Sequence, residues 1–158
     1  VHWHFKNKQG LLFAILKEMA NPYVQTATEV LGSRLGAGDK IRELICRVLD
    51  ASDESESFLA HRRLATRFMT ENPEGFEQYH RYISRGMKKL ARKTADVIRE
   101  GQRTGEMRSD IDAEVITGVI GAIFRGTAMM KVMKGIDILP KGSSEAVVDL
   151  IMEGIEPR

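Results

Sequence analysis

The residues at the start of the chain have the most readily defined chemistry. An aromatic and histidine-rich run, Val1 to Phe5, is followed by Asn7 and Lys8. Asn7 suits a helix N-cap, so the sequence predicts a helix that begins at Lys8. A lysine there adds its charge to the partial positive charge and the free N–H groups of a helix N-terminus. This arrangement favours binding of an anion such as phosphate; the alternative is a solvated lysine beside packed aromatic rings.

A second group of candidates consists of polar residues on otherwise apolar helix faces. His61 and Arg62 lie on the apolar face of one predicted helix, and His80 and Thr94 lie on that of the next. An ionisable group on such a face needs a partner or a cavity. Together these residues predict a mostly apolar pocket with a few polar groups. Taken singly, each histidine can instead be a satisfied core residue, and Arg62 can extend along the helix flank to solvent.

Other kinds of chemistry find no matching pattern in the sequence. There is no metal-ligand spacing, no nucleophile motif and no convergent pair of carboxylates, and His2 with His4 is too small a set to hold a metal. The single cysteine, Cys46, excludes an internal disulfide and a cysteine-based zinc site, and it fits a reducing cytoplasm. We therefore expect a protein that is not an enzyme, with no catalytic residue, no metal and no cofactor.

The periodicity of the apolar residues predicts an all-α chain. Its 158 residues, 42% of them hydrophobic, are enough for one domain, and a net charge of +2 does not by itself indicate a polyanionic partner. Pro22 predicts a kink or a break in the first helix, and Asp39 is the expected cap of the second. About six helices are predicted, at about residues 8–31, 39–52, 54–71, 73–104, 112–133, and from 143 or 144 onward.

The fifth predicted helix is apolar nearly all round, which indicates burial on two sides. Its longest apolar run, Val115 to Phe124, is too short to span a bilayer, so no membrane partner is expected. Gly118, Gly121 and Ala122 cluster on one side together with Arg125. Such small residues allow two copies of the helix to approach across a two-fold axis. The alternative is close packing of this side within one protomer.

Two segments of the sequence resemble TetR-family transcriptional regulators. Trp3 to Lys8, followed by Leu11 and Leu12, is similar to the end of that family's DNA-binding region, where an aromatic–His–Phe run closes the recognition helix and an Asn/Ser–Lys pair begins the next helix. Residues 98–112, with Gly101, Gly105 and Glu106, resemble the turn before the family's dimer helices. The order and lengths of the helices agree over essentially the whole chain.

The resemblance implies a DNA-binding role for His2, Trp3, His4 and Lys8. Lys8 would contact a phosphate, and Trp3 would pack on or near the sugar-phosphate backbone. His4 would lie at the DNA face or beneath the helix-turn-helix. His2 stands where the family usually has tyrosine, which is a departure from the pattern.

Only the tail of the recognition helix is present, so the resemblance also implies a truncated N-terminus. A helix-turn-helix needs both a supporting helix and a complete recognition helix. We expect residues 1–8 to be a remnant of the DNA-binding domain and residues 9–158 to be a helical ligand-binding and dimerisation domain. Operator DNA would then be bound only by the full-length protein.

The family binds small effectors between its middle helices and dimerises through its last two helices, as a four-helix bundle. The predicted lining of a pocket for a small, mostly apolar effector is Leu16, Met19, Tyr23, His61, Arg62, Phe68, Tyr79, His80, Ile83, Met87, Thr94, Ile120 and Thr127. The predicted homodimer interface is Gly118, Gly121, Ala122, Arg125, Val148 and Ile151. Arg125 has two possible roles, as the partner of Asp149 or Glu153 across this interface or as the counter-ion of an acidic effector.

The sequence therefore predicts a TetR-like transcriptional regulator, a repressor whose DNA affinity is switched by an effector. Its first helix starts at the DNA-binding end and passes the pocket, so a tilt of this helix would change the spacing of the recognition helices in the dimer. The alternative is a small-molecule-binding or dimerisation module without DNA-binding activity.

Overall fold

The computed structural model describes residues 8–54, 56–71, 73–134, 139–140 and 142–157, for some of them the backbone alone. These ranges contain six helices and no strand, which confirms the predicted all-α architecture. The predictions for His2, Trp3 and His4 lie outside the described residues. The helices are α1 (Lys8–Leu31), α2 (Ala37–Glu54), α3 (Glu56–Glu71), α4 (Pro73–Thr104), α5 (Ala113–Lys134) and α6 (Ser144–Ile155).

Helix α1 continues through Pro22 as one α-helix, so the break considered from the sequence does not occur. A proline removes one backbone hydrogen bond, but helices on either side can hold the remaining turns in register. Here α1 packs against α2, α3 and α4 along its length. Tertiary packing therefore outweighs the local preference at this position.

Helices α1 and α4 run side by side in the same direction. Near their N-termini, the ring of Phe13 contacts the rings of Tyr79 and Tyr82. Near their C-termini, Val30 and Ile98 belong to the same buried cluster. The first residues of α4 are therefore at the same end of the molecule as the first residues of α1.

The buried apolar side chains of the described residues form two clusters. The larger cluster is built from the C-terminal halves of α1 and α4 with α2, α5 and α6, and Ile41, Ile45, Ile98 and Val148 are its most deeply buried members. The smaller cluster joins the N-terminal half of α1 to α3 and the first turns of α4 through Leu16, Phe68 and Tyr79. This division separates the main core at one end from a smaller packing unit at the other.

The turn after α4 ends that helix and also contacts the start of α2. Gly105 has a φ of +80°, and the N–H of Glu106 donates to the carbonyl of Gly101 over 2.8 Å, which is the Schellman closure of a helix C-terminus. The Glu106 carboxylate then accepts the N–H of Gly38 over 3.1 Å. It is therefore Glu106, from a distant part of the sequence, that satisfies the N-terminus of α2. The prediction of Asp39 as the cap was wrong, because α2 begins at Ala37 and Asp39 lies inside its first turn.

Candidate effector site and dimer face

The smaller buried cluster is the candidate effector site. Leu16 of α1, Phe68 of α3 and Tyr79 of α4 are buried against one another. The half-buried side chains that surround them are apolar as well: Leu12, Phe13, Leu64, Ala65 and Ile83. Three helices thus meet in a small cluster of almost entirely apolar side chains, which is the usual character of the lining of a small-molecule site.

His61 is the main polar group in this apolar surrounding. Its side chain is 7% exposed, and its Nε2 lies 2.8 Å from the hydroxyl oxygen of Tyr79. The imidazole nitrogen donates or accepts according to its tautomer, and the phenol can take the complementary role. The two rings also meet edge to face, with centroids 6.3 Å apart. His61 is therefore a satisfied buried histidine.

A chain of ring contacts extends from His61 to the surface of α1. Tyr79 meets the edge of Phe13 at a centroid distance of 6.4 Å, and Phe13 meets Tyr82 at 6.1 Å. Lys17 then places its Nζ 5.3 Å from the centroid of the Tyr82 ring, within cation–π range. Helices α3, α4 and α1 are thereby linked through side chains that interlock in specific orientations.

Helix α4 is partly exposed between the two clusters. On α4, Ile83 belongs to the smaller cluster and Leu90 packs on the larger one. Between them, Met87 is 46% exposed, and a Cβ added at Gly86 would have no atom within 4 Å. This stretch of α4 lacks the tight neighbours that its two ends have.

The structure brings five of the predicted pocket residues together: Leu16, His61, Phe68, Tyr79 and Ile83. Met19 is half-buried on the same helix as Leu16. The side chains of Tyr23 and Arg62 lie outside the described residues. The pocket as a whole stays a prediction, now centred on α1, α3 and α4.

The remaining predicted pocket residues lie elsewhere. His80 is exposed, with its Nε2 3.5 Å from Ser84 Oγ on the next turn, so its assignment to the apolar face was wrong. Ile120 is a member of the larger cluster. Thr94 and Thr127 donate their hydroxyls to carbonyls of their own helices, Thr94 to Leu90 over 3.0 Å. Both hydroxyls therefore already have a hydrogen-bond acceptor within their own helix. Thr94 is buried.

Helix α5 presents an apolar face to solvent. Val115 and Val119 are each 54% exposed, and Gly118 and Ala122 lie on the same exposed side. Arg125 is also exposed, and its guanidinium folds back toward Gly121, 3.9 Å from where a Cβ would be. Large apolar side chains at this level of exposure are typical of a surface that another chain covers. The three small residues and Arg125 thus lie where the sequence placed them, on one side of α5.

Helix α6 also exposes an apolar residue, one that the sequence did not identify. Leu150 is 72% exposed, and Ala146 and Gly154, one turn to either side, are exposed as well. Val148 was wrongly assigned to the interface, because its side chain is fully buried in the larger cluster of its own protomer. Ile151 is half-buried against that cluster. The outward face of α6 is therefore the Leu150 face.

The expected acidic partner of Arg125 is engaged within the protomer. Asp149 accepts a 2.7 Å hydrogen bond from Arg42 of α2, and both side chains are about half exposed. This bond holds α6 against α2 and raises the pKa of Arg42 above its ordinary value. Glu153 is exposed and is the remaining candidate of the two that the sequence named.

A separate cleft of about 320 Å³ lies at the turn after α4 and was not predicted. Its lining is Gln102, Gly105, Met107, Arg108, Ser109, Asp110 and Pro157. The polar groups here bond to one another: Arg108 makes two 2.6 Å hydrogen bonds to the Asp110 carboxylate and one to the carbonyl of Gly154. The amide of Gln102 donates to the carbonyls of Arg108 and Ile111. The cleft thus lies on the outer side of a turn whose polar groups bond to one another and to the end of α6.

Comparison with known structures identifies the architecture. A TetR-family transcriptional regulator of Rhodococcus sp. is 20% identical, with a TM-score of 0.70 over 98% of this chain and 78% of that one. The ketosteroid transcriptional regulator KstR2 of Mycobacterium tuberculosis is 17% identical, with a TM-score of 0.67 over 99% and 77%. A TetR/AcrR-family regulator of Thermobifida fusca is 21% identical, with a TM-score of 0.63 over 96% and 74%.

The chain therefore has a TetR-like fold, as the N-terminal motif and the helix order indicated. No protein-family model matches the sequence, and no curated protein matches it. Within the described ranges no helix has the length and apolar character that crossing a bilayer requires. The same ranges contain no group of three or more potential metal ligands.

Proposed function

We propose that this chain is the effector-sensing and dimerising part of a TetR-like transcriptional regulator, acting as a repressor. The observation that carries the proposal is the chain of ring contacts from His61 through Tyr79 and Phe13 to Tyr82. It joins the candidate effector site to α1, the helix whose N-terminus adjoins the proposed DNA-binding region. A ligand that shifts Tyr79 must also shift Phe13 or break these ring contacts.

The effector that suits the site is small and mostly apolar, with one hydrogen-bonding group. The lining is aliphatic and aromatic except for the His61–Tyr79 pair. A ligand oxygen that replaced one member of this pair would have to satisfy the other, since an unpaired buried polar group is destabilising. KstR2, named as a ketosteroid regulator, has the same fold, and ketosteroids have this kind of chemistry. Ketosteroids are therefore a sensible first class of compound to test.

Homodimer formation through α5 and α6 is supported by the exposed apolar side chains of Val115, Val119 and Leu150. Two copies of the surface formed by α5 and α6 would make a four-helix bundle across a two-fold axis. Gly118 and Ala122 would let the two α5 helices approach closely. In the dimer, a tilt of α1 in each protomer would change the separation of the two DNA-binding regions.

The effector can change DNA affinity only to the extent that it binds the two positions of α1 with different affinities. The test uses the protein expressed from its complete gene and labelled DNA from the adjacent intergenic region, in a gel-shift titration. Retardation that a ketosteroid such as progesterone or a fatty acid such as decanoate reverses supports the proposal. Specific retardation that neither compound reverses would contradict the proposed small, mostly apolar effector. Absence of any specific retardation would favour a binding module without DNA-binding activity.

A variant separates sensing from DNA binding. Phe13→Leu keeps an apolar side chain but removes both ring contacts, so we expect normal operator affinity with a weakened effector response. Phe124→Leu is the control, because Phe124 is half-buried against the larger cluster on α5. Equal responses in the two variants would show that the ring contacts do not carry the signal.

A further inference from the structure

Helix α4 carries an unusually one-sided charge. Residues 81–93 include six basic side chains and no acidic one: Arg81, Arg85, Lys88, Lys89, Arg92 and Lys93. Five of them are exposed, and Lys93 is half-buried. The whole chain has a net charge of only +2, so this stretch is a local concentration of positive charge. Lysine and arginine residues clustered along one helix are typical of a surface that contacts a polyanion.

Four of these side chains form a row, which we call the basic face: Arg81, Arg85, Lys88 and Arg92. At 100° per residue they fall within about 60° of one another around the helix, and they extend along about 17 Å of its axis. The opposite side of α4 is buried through Tyr79, Thr94 and Ile98. The row is therefore held straight and outward by a helix that is fixed in the core.

The basic face is not neutralised by the described part of the protomer. No described residue forms an ion pair with any of its four side chains. Some exposed arginines elsewhere do have partners: Arg47 pairs with Glu43 and Arg67 with Glu71, each four residues away. At the C-terminal end of α4 itself, Arg99 pairs with Asp96 and Glu114. Like charges three and four residues apart repel, so the row destabilises the free helix and favours a bound anion.

We propose that the basic face binds the phosphate backbone of double-stranded DNA without sequence preference, as an addition to operator recognition. The proposal rests on the proposed function, because DNA is then the polyanion at hand. Since α1 and α4 run in the same direction, Arg81 is at the end of the face nearest the N-terminus of α1, where the DNA-binding region would begin. A row of cations at regular spacing along one helix suits contact with successive phosphates, which carries no sequence information by itself.

The surroundings of the basic face argue against a membrane partner. A helix that lies in a bilayer interface inserts an apolar side. The apolar side of α4 is buried in the protomer, and the residues within the row itself are charged. The basic face could therefore contact an anionic membrane only through its charges, without inserting apolar side chains.

The experiment measures fluorescence anisotropy of a labelled random-sequence duplex with this chain at a low KCl concentration, about 50 mM. The variant R81Q/R85Q/K88Q/R92Q removes the basic face. The control R34Q/R47Q/R63Q/R67Q removes the same charge from exposed residues elsewhere. We expect the basic-face variant to bind about tenfold more weakly or worse. The slope of log Kd against log salt should fall by about three to four, since each phosphate that the protein neutralises contributes about 0.9, while the control retains most of both.

Several outcomes would overturn the proposal. Equal weakening in the two variants would mean that only net charge matters, and no binding by the unaltered chain would exclude the contact. Preferential binding of phosphatidylserine vesicles or polyglutamate over the duplex would assign the basic face to another partner. Circular dichroism of both variants establishes that they are folded. Operator-specific retardation by the complete protein is measured separately, so random-duplex binding without operator binding would refute the proposed function and leave this inference standing.

Discussion

The hydroxyl of Tyr79 lies 2.8 Å from Nε2 of His61, and this bond joins α3 to α4 inside an apolar cluster. Both side chains are less than a tenth exposed. If one member of the pair is removed, water has little access to hydrogen-bond to the other. This hydrogen bond therefore affects the stability of the fold, and the pair is also the polar feature of the candidate effector site.

Tyr79→Phe is expected to destabilise the protein by about 1–3 kcal/mol, because it leaves a buried imidazole nitrogen without this partner. The measurement is equilibrium urea unfolding followed by circular dichroism. Thr70→Val removes an exposed hydroxyl that bonds to the Thr66 carbonyl of its own helix, and it serves as the control, with a change below about 0.5 kcal/mol. Equal unfolding free energies for the two variants would show that the His61 bond contributes nothing net.

Leu150→Asp tests the dimer face. The side chain is 72% exposed in the protomer, so a carboxylate there is solvated in the monomer and buried in the proposed dimer. We expect dimer affinity to fall by about tenfold or more, with little change in helix content. Sedimentation velocity over a range of concentrations measures the effect. Leu35→Asp is the matched control, since Leu35 is 47% exposed in the loop before α2; disruption of the dimer in both variants would argue against the assigned face.

Gly101 and Gly86 form a contrasting pair within α4. A Cβ at Gly101 would lie 3.0 Å from Cβ of Ala37 and equally close to Met107, so α2 and α4 must separate to admit it. Gly101→Ala should therefore destabilise by about 1–3 kcal/mol through overpacking. Gly86→Ala meets open space and should stabilise by about 0.5–1 kcal/mol. Thermal unfolding of the two variants checks the difference, and the same sign for both would contradict the close approach at Ala37.

The hydrogen bonds to the Glu106 carboxylate predict that the protein loses stability in acid. Hydrogen bonds from the Gly38 N–H and the Thr104 hydroxyl hold the pKa of this carboxyl below its ordinary value of 4.5. A pKa that is lower in the folded state gives a stabilisation that is complete above the unfolded pKa. The stabilisation is lost as the pH falls from about 4.5 through the folded pKa.

The measurement is the thermal midpoint between about pH 6 and pH 3, a range that spans the ordinary carboxyl pKa. Glu106→Gln should lower the midpoint at the upper end of this range and make its decline in acid shallower than in the unaltered chain. Glu100 and Glu114, whose pKa values are also lowered by hydrogen bonds, retain their contributions in this variant. Glu29→Gln, at an exposed position of α1, is the control. An acid decline that is as steep in the Glu106 variant as in the unaltered chain would exclude the bond to Gly38 as its source.

Helix boundaries were the most predictable part of the fold. A local signal fixes the end of α4: Gly105 after Thr104 marks an end that the structure reproduces. The cap of α2 was not predictable, because Glu106 is 68 residues from Gly38 and no local pattern connects them. Pro22 is similar in kind, since tertiary packing keeps α1 intact there.

The candidate site and the dimer face were predictable only in part. On α5 nearly every residue is apolar, so periodicity could not tell that Val115 and Val119 face outward while Ile116 and Ile120 are buried. On α6 the pattern did not distinguish buried Val148 from exposed Leu150, since both are aliphatic and two residues apart. His80 was misassigned because a helical projection shows only the angle around the axis. It does not show how far along the axis the neighbouring helices cover α4.

The bonds from Arg108 to the end of α6 have a consequence for how fast two protomers associate. The Arg108 guanidinium donates to the Gly154 carbonyl over 3.1 Å, and its backbone N–H donates to the carbonyl of Ile155 over 2.8 Å. The last turn of α6 is thus fixed before any partner arrives. Two preformed surfaces need only collide in the right orientation, whereas segments that fold as they meet are slowed by that step. In the proposed dimer, Arg108→Leu should therefore slow association by loosening one end of α6.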